Sequence, residues 1–364
     1  MNCNLHIGIE KTGTTTLQHF LHANRDIFLK KGFGILDSLG VGNNRRLASY
    51  AMNDDQLNDD YFVANGIDSI TKKNTHDKFT EKLLSEEVEA LKIKQCHTVL
   101  ISSEHFHSRC VLDSEVNKLK NLLLKHFDSI KVICYLRPQI DVAISLYTTV
   151  LRSGAKVEFD DFLNRNCTPQ NRYYNYSDLL DRWSNAFGEK NLVTCVFDKK
   201  KLASGDVVKD YLKNIGIIKL DDFNFYEKTN ESLTVFGQEA LRLNNIHSHD
   251  FIFNGLPFKK YIYKIINKLF VGKGMNIGSS RAIKIQEKFE DVNSLVAQKY
   301  FNGEELFQID FGKYKEEKLD ISQAEMLKTL FEAQKAIKLD FSKGQYSDEP
   351  YKMIVNNLTA NSSS

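Results

Sequence analysis

Apolar and polar positions follow two patterns along this chain. Short apolar runs read as buried strands: Asn4-Leu-His-Ile-Gly-Ile9, Phe33-Gly-Ile-Leu36, Thr98-Val-Leu-Ile-Ser102, Ile130-Lys-Val-Ile-Cys-Tyr-Leu136 and Asn191-Leu-Val-Thr-Cys-Val-Phe197. Between them apolar residues recur at helical spacing. Leu17, Phe20, Leu21, Ile27 and Phe28 predict a helix that stops at Lys30-Lys31-Gly32, with cations in the last turn and a glycine after them. Further helices are predicted over 79–95 and 115–127, through Val142, Ala143, Leu146, Tyr147 and Val150, over 176–187 before Gly188, and over 205–214 before Gly216. Residues 37–80 are polar and show no clear period. They are expected to be irregular, and a long segment of that kind is often functional.

Strands alternating with helices predict an α/β fold around a parallel sheet covered on both faces. From about residue 230 the strand signal ends, and helices are predicted over 233–245, 258–270, 281–300 and 321–337. The expected organisation is an α/β core over 1–220, a helical C-terminal part of the same domain over 221–350, and a flexible tail over 351–364. The stretch Phe258-Lys-Lys-Tyr-Ile-Tyr-Lys-Ile-Ile-Asn-Lys-Leu-Phe270 reads as a basic amphipathic helix, with a stripe facing the core and lysines in solvent. Contact with an anionic membrane or an acidic glycan is compatible with it but not required.

Composition narrows the picture. The chain has 364 residues, of which 42% are hydrophobic, ample for a sizeable core. Lys and Arg total 49 against 47 acidic residues, a net charge of +2. The basic footprint of a nucleic-acid binder is missing, so an anion site must be local. The N-terminus lacks a basic stretch followed by an apolar one, and no run of about 18 apolar residues occurs, so neither a signal peptide nor a membrane span is expected. The six cysteines are scattered, without zinc spacing, and suggest free thiols in a reducing cytoplasm. His105-x-His107 near Cys110 is a weak zinc pattern, and no metal is expected.

The candidate chemistry begins in the first strand–loop–helix, His6-Ile-Gly8-Ile-Glu10-Lys11-Thr12-Gly13-Thr14-Thr15-Thr16-Leu17. A helix N-terminus presents unpaired N–H groups and the positive end of the helix dipole. Gly13 permits close backbone approach, Lys11 adds charge, and Thr12, Thr14, Thr15 and Thr16 add hydroxyl donors. Together they form a cradle for a phosphate or sulfate-like group. The nucleoside-triphosphatase pattern needs a lysine after its second glycine, whereas Lys11 precedes Gly13 by two positions. The second element follows the fourth strand: Arg137-Pro138-Gln-Ile-Asp141-Val-Ala-Ile-Ser145-Leu-Tyr147. Arginine suits forked recognition of phosphate.

The Lys-Thr-Gly-Thr-Thr segment resembles the 5′-phosphosulfate loop of sulfotransferases that use 3′-phosphoadenylyl sulfate (PAPS). Arg137 and Ser145 resemble that family's 3′-phosphate site, with Asp141 and Tyr147 also in pattern. One departure is that proline follows the arginine directly. The likeness covers most of residues 4–307, unevenly, and is greatest toward bacterial glycan-type members. It implies a three-layer, P-loop-like fold with C-terminal helical elaboration. It also implies a cytoplasmic enzyme that moves a sulfuryl group from PAPS to a hydroxyl, most plausibly of a carbohydrate, and releases PAP. The resemblance places a catalytic histidine or glutamate after the strand that precedes the arginine-bearing one. Here that strand runs into Ser103-Glu104-His105-Phe106-His107. If it stays extended, Glu104 and His105 face opposite ways. Glu104 is favoured as base, then His105, then His107, and Glu10 inside the loop is a further candidate. Lys11 would meet charge on the leaving phosphate.

Two other readings stay open. One is a phosphotransferase with a degenerate P-loop, and the other is a nucleotide- or glycan-binding module without turnover. A polysaccharide, a lipid and a small metabolite all remain candidate acceptors, and the oligomeric state is not legible.

Overall fold

The computed structural model describes residues 1–225, 232–247, 252–253, 256–329, 331 and 349–360. The chain forms two units. The first comprises Met1–Val142, Pro169–Lys228 and Lys288–Gln308, and the second Ala143–Thr168, Thr229–Glu287 and Ile309–Ser364.

The first unit is built on five strands: β1 (Asn2–His6), β2 (Phe33–Ile35), β3 (Thr98–Ser102), β4 (Ser129–Leu136) and β5 (Leu192–Val196). All pair in parallel, in the order β2-β3-β1-β4-β5. β1 is flanked by β3 and β4, with His6 opposite Ser102 on one side and Ile133 on the other. Every residue of β3 is buried, as expected for a parallel strand covered on both faces. One face is covered by α1 (Thr14–Ala23), α2 (Arg25–Lys30) and α11 (Val207–Asn214), through Leu17, Phe20, Phe28, Val208 and Tyr211 against Leu100, Ile133 and Tyr135. Side chains of β4 alternate, so Val132, Cys134 and Leu136 point to the opposite face. There α10 (Tyr176–Phe187) lies against β4 and β5 and packs on α7 (Asp113–Leu123). Trp183 of α10 is fully buried and stacks on Phe187 with ring centroids 5.6 Å apart. The predicted α/β fold with a central parallel sheet and helices on both faces is therefore present.

After β1 the chain leaves toward β2 on one side, and after β4 toward β5 on the other. The order reverses between β1 and β4, and in open α/β sheets ligands bind outside the carboxyl ends of the strands at that point.

Three readings need correction. Residues 37–80 are not irregular: they form α3 (Arg45–Ala51), α4 (Asp60–Ala64) and the start of α5 (Ile70–Ile93). The buried face of α5 begins with Lys73, His76, Asp77 and Thr80 and turns apolar only at Leu84. Hydrophobic period therefore detects its second half alone. The buried polar half is satisfied within the helix and from outside it: Lys73 Nζ lies 3.0 Å from Asp77, His76 Nδ1 3.0 Å from the same carboxylate, Thr80 Oγ1 donates to the His76 carbonyl, and Lys118 Nζ donates to Asp77 at 2.7 Å. Second, β3 does not continue past Ser102. Ser103 N donates to the His6 carbonyl at 3.0 Å and the short α6 (His105–Arg109) follows. Third, the helix expected from Leu17 to Phe28 is two helices. Asn24 ends α1, its Nδ2 donating to the Phe20 carbonyl at 2.9 Å and its Oδ1 accepting from Asn224 N at 2.8 Å. Within the tail expected over 351–364, residues 351–360 are helical.

α8 (Gln139–Arg152) carries the chain from the first unit into the second. The second unit holds α9 (Phe159–Asn166), α12 (Val235–His247), a β6–β7 hairpin (Ile252–Phe253, Leu256–Pro257), α13 (Phe258–Leu269) and α14 (Ser279–Glu287). It also holds α16 (321–329) and α17 (Glu349–Ala360). α15 (Glu290–Tyr300) belongs to the first unit, so the helix expected over 281–300 is divided. α9 was not predicted. The helix expected over 321–337 is present to residue 329, and most of its remainder lies outside the described residues, as do residues 361–364 of the tail. α13 buries Phe258, Ile262 and Ile266 and leaves Lys260, Lys264 and Lys268 exposed, the arrangement its sequence predicts. Among the described residues no helix is long and apolar enough to cross a membrane. None of the six cysteines forms a disulfide.

Candidate active site

The segment between β1 and α1 is the first half of the site. Ile7 N donates to the Ile133 carbonyl at 3.0 Å, carrying the β1–β4 pairing one residue beyond His6. The chain then turns through three left-handed residues: Gly8 (φ 73°), Lys11 (φ 70°) and Gly13 (φ 80°). Gly8 has no room for a side chain, since a Cβ there would stand 2.7 Å from Glu104 Cα. At Gly13 a Cβ would meet Val207 Cγ1 at 2.9 Å. Gly13 caps α1 with no side-chain hydrogen bond, so the first N–H groups of the helix have no capping oxygen. Gly13, the start of α1 and Lys11 thus stand together where the sequence leads one to expect an anion cradle. Thr12 is different. It is buried, and its Oγ1 donates to the Ile9 carbonyl at 2.6 Å, so in this state its hydroxyl shapes the turn. Thr14 is buried, Thr15 exposed and Thr16 half-buried at the start of α1.

Lys11 is held left-handed without being glycine, which costs a residue with a Cβ roughly 1–2 kcal/mol. Lys11→Gly is therefore expected to be more stable than Lys11→Ala by about 1 kcal/mol, while both lose affinity for a phosphate-bearing ligand. Urea unfolding alongside calorimetric titration tests this. Equal stability of the two variants would mean the loop relaxes out of the left-handed region.

Arg137 supplies the second half. It follows β4, and its Nη1 donates to the Lys11 carbonyl at 2.7 Å. The guanidinium lies 5.7 Å from the Phe197 ring centroid, and Nε is 3.9 Å from Asp141 Oδ2. Tyr176 Oη donates to the Arg137 carbonyl at 2.7 Å and fixes the backbone there. Ser145 falls on α8 in the second unit.

The third element is the turn after β3. The extended conformation that would separate Glu104 from His105 is absent, because the chain bends into α6. Glu104 Oε1 is 3.9 Å from His105 Nε2, and both side chains are about one-fifth exposed (18% and 19%). Glu104 Oε2 accepts from Gln18 Nε2 at 2.5 Å. Burial pushes the His105 imidazole below its ordinary range, against the opposing pull of the Glu104 and Glu10 carboxylates. A neutral imidazole can accept a proton. His107 turns elsewhere. It is buried, its Nε2 donates to the Tyr173 carbonyl at 2.9 Å, and burial holds it neutral down to about 4. Glu10 accepts from Tyr173 Oη at 2.9 Å, and burial, aided by the Glu10 carboxylate, keeps that phenol protonated.

The 37–80 segment is anchored beside this turn. Asn44 Oδ1 accepts from Ser102 N at 3.2 Å. Arg45 and Arg109 both bind Asp59, Arg109 Nε at 2.6 Å, which ties α3 and the start of α4 to α6 next to His105. Sequence reasoning missed Gln18, Asn44, Arg45, Arg109, Tyr173 and Phe197. Only Gln18 carried a usable signal, standing one turn after Thr14 on the same helical face. Among the described residues no group of three or more His, Cys, Asp or Glu could hold a metal ion.

His6 lies under the site, fully buried, with Nδ1 2.8 Å from Ser102 Oγ. Burial lowers it from 6.5 to about 3. The unfolded chain therefore binds protons at His6 and His107 between about pH 6.5 and those depressed values, and the native state does not. Their contribution to stability is complete above about pH 6.5. It shrinks on acidification by up to about 1.4 kcal/mol per pH unit for each group. Urea unfolding at a series of pH values is expected to show this slope, and His6→Gln to flatten it. A variant with the wild-type slope would place the proton uptake elsewhere.

With this geometry described, comparison with known proteins defines the class. The model of the sulfotransferase domain family matches residues 5–224, well over half of the chain. The chain belongs to the sulfotransferase domain family. It is similar to an uncharacterized protein of Archaeoglobus fulgidus, with 26% identity over 220 residues, covering 57% of this chain and 55% of that protein. The chain thus spans about half the length of that relative. It also resembles the crystal structure of a sulfotransferase from Alicyclobacillus acidocaldarius, at 15% identity and a TM-score of 0.39, over 62% of this chain and 85% of that one.

Proposed function

We propose that the protein is a PAPS-dependent sulfotransferase acting on a hydroxyl acceptor, most plausibly a carbohydrate. One observation carries the reading: Arg137 reaches the Lys11 carbonyl across the β1–β4 crevice. It puts a fork-shaped phosphate ligand beside an uncapped helix N-terminus. Two anion-recognition elements in one crevice suit a donor with phosphate at both ends of its ribose. The left-handed turn and the bare N-terminus of α1 fit a phosphosulfate group. In this reading Lys11, Gly13 and Thr14 to Thr16 hold that group, with Thr12 shaping the turn, and Arg137 holds the 3′-phosphate. The part of Ser145 in that recognition rests on family resemblance alone.

In the transfer the acceptor oxygen forms a bond to sulfur, and the bond from sulfur to the phosphate oxygen breaks. The electron pair leaves with PAP, whose charge Lys11 and the α1 N–H groups meet. The acceptor proton passes to Glu104, with the neutral His105 beside it as the alternative base. The 37–80 segment forms the acceptor-side wall. A cytoplasmic setting fits a chain that draws on PAPS and forms no disulfide among its six cysteines.

Calorimetric titration with PAP, ADP and ATP tests the reading. PAP binding tightly and ADP weakly is the expected result. Preference for ATP would bring a phosphotransferase forward. PAP binding without release of PAP from PAPS in the presence of any acceptor would favour a non-catalytic module.

A further inference from the structure

We infer that Gln18 is the positioning residue that holds the Glu104 carboxylate in its proton-accepting orientation and links it to the helix that cradles the donor; this rests on the transferase reading above. The observations are independent of one another. Gln18 sits on α1, one turn after Thr14, and both are buried. Side chains on a helix lean toward its N-terminus, so an amide at this position reaches back toward the anion loop. There its Nε2 donates to Glu104 Oε2 at 2.5 Å. The backbone of Glu104 is fixed from the other side by Gly8, where any Cβ would stand 2.7 Å from Glu104 Cα. Glu104 is thereby held at two points, its main chain against the anion loop and one carboxylate oxygen against α1. The other oxygen, Oε1, is the one turned toward His105.

The chemistry of the pair is directional. An ionised carboxylate only accepts, so the amide of Gln18 must present its N–H. That hydrogen bond fixes the carboxylate through Oε2 and leaves Oε1 for the acceptor hydroxyl. A proton taken from the acceptor arrives on Glu104 as its O–S bond forms and PAP departs. Gln18 rides on α1, so the base is tied to the same helix whose N-terminus would cradle the donor.

The test measures PAP release from PAPS, with water or an oligosaccharide as acceptor, as a function of PAPS concentration in wild type, Gln18→Leu and Gln18→Glu. Leucine fills the space without a donor, and glutamate sets a second carboxylate against the first. In Gln18→Leu, kcat is expected to fall about tenfold while the KM for PAPS stays within a few-fold. In Gln18→Glu kcat should fall further, because a second carboxylate repels the first and offers it no N–H. PAP affinity by calorimetry should stay within a few-fold in Gln18→Leu, and it reports whether each variant retains the fold. A wild-type kcat in both folded variants overturns the positioning role alone. No release of PAP by the wild-type protein under any condition overturns the transferase reading and this inference with it.

Discussion

Replacing Arg137 with alanine is expected to weaken PAP binding at least about a hundredfold and to erase the preference for PAP over ADP. Hydrogen bonds to charged groups contribute about 1.5–3 kcal/mol each, and a forked pair to phosphate exceeds the roughly 2.8 kcal/mol that a hundredfold represents. The same guanidinium also supports the anion loop, through the 2.7 Å bond from Nη1 to the Lys11 carbonyl and its place over Phe197. The two roles separate in one titration series. If Arg137 reads the 3′-phosphate, PAP weakens and ADP hardly changes. If its main work is to support the loop, both nucleotides weaken together and their ratio survives. Arg137→Lys keeps the charge but loses the fork, and should recover only part of the affinity. An unchanged PAP affinity in Arg137→Ala would remove the residue from the site.

The second large effect concerns the base. Glu104→Gln is nearly isosteric and keeps an oxygen for Gln18, but it cannot take a proton. General-base catalysis contributes about 10²–10⁴-fold, so kcat should fall within that range while PAP affinity stays within a few-fold. His105→Ala is the necessary comparison, because its Nε2 is only 3.9 Å from Glu104 Oε1 and its ring is neutral. If the greater loss belongs to His105, the imidazole takes the proton and Glu104 orients it. Glu10→Gln should cost less than either, since the Glu10 carboxylate is already engaged by Tyr173 Oη. Steady-state release of PAP from PAPS across these three variants ranks the candidates directly.

Much of the chemistry was legible before the fold, because it is local. The anion loop declares itself within thirteen residues: a strand, glycines at 8 and 13, a lysine and three threonines opening a helix. Each is a short-range requirement of backbone conformation or charge. The strands ending at Ser102 and Leu136 are equally plain, since a parallel strand buried on both faces is nearly all apolar. Arg137 and Glu104 could be chosen because each lies within two residues of the end of such a strand, where the family resemblance places functional residues.

Where a pattern depends on partners far along the chain, sequence reading failed. The first half of α5 looks irregular because its buried face is Lys73, His76, Asp77 and Thr80, residues that can be buried only by pairing with one another and with Lys118. The turn at Ser103, which brings Glu104 and His105 together, follows from a bond to the His6 carbonyl that only strand pairing creates.

What the sequence by itself determined is therefore the order of strands and helices in the core and the residue types at the anion loop, since backbone preference and hydrophobic period act over a few residues. The tertiary structure alone decided which groups meet. Arg137 reaches Lys11 across 126 residues of chain and Gln18 reaches Glu104 across 86, because β1 is paired between β3 and β4. Hydrogen bonds of that kind hold within a few tenths of an ångström, and no local preference encodes a distance between segments so far apart.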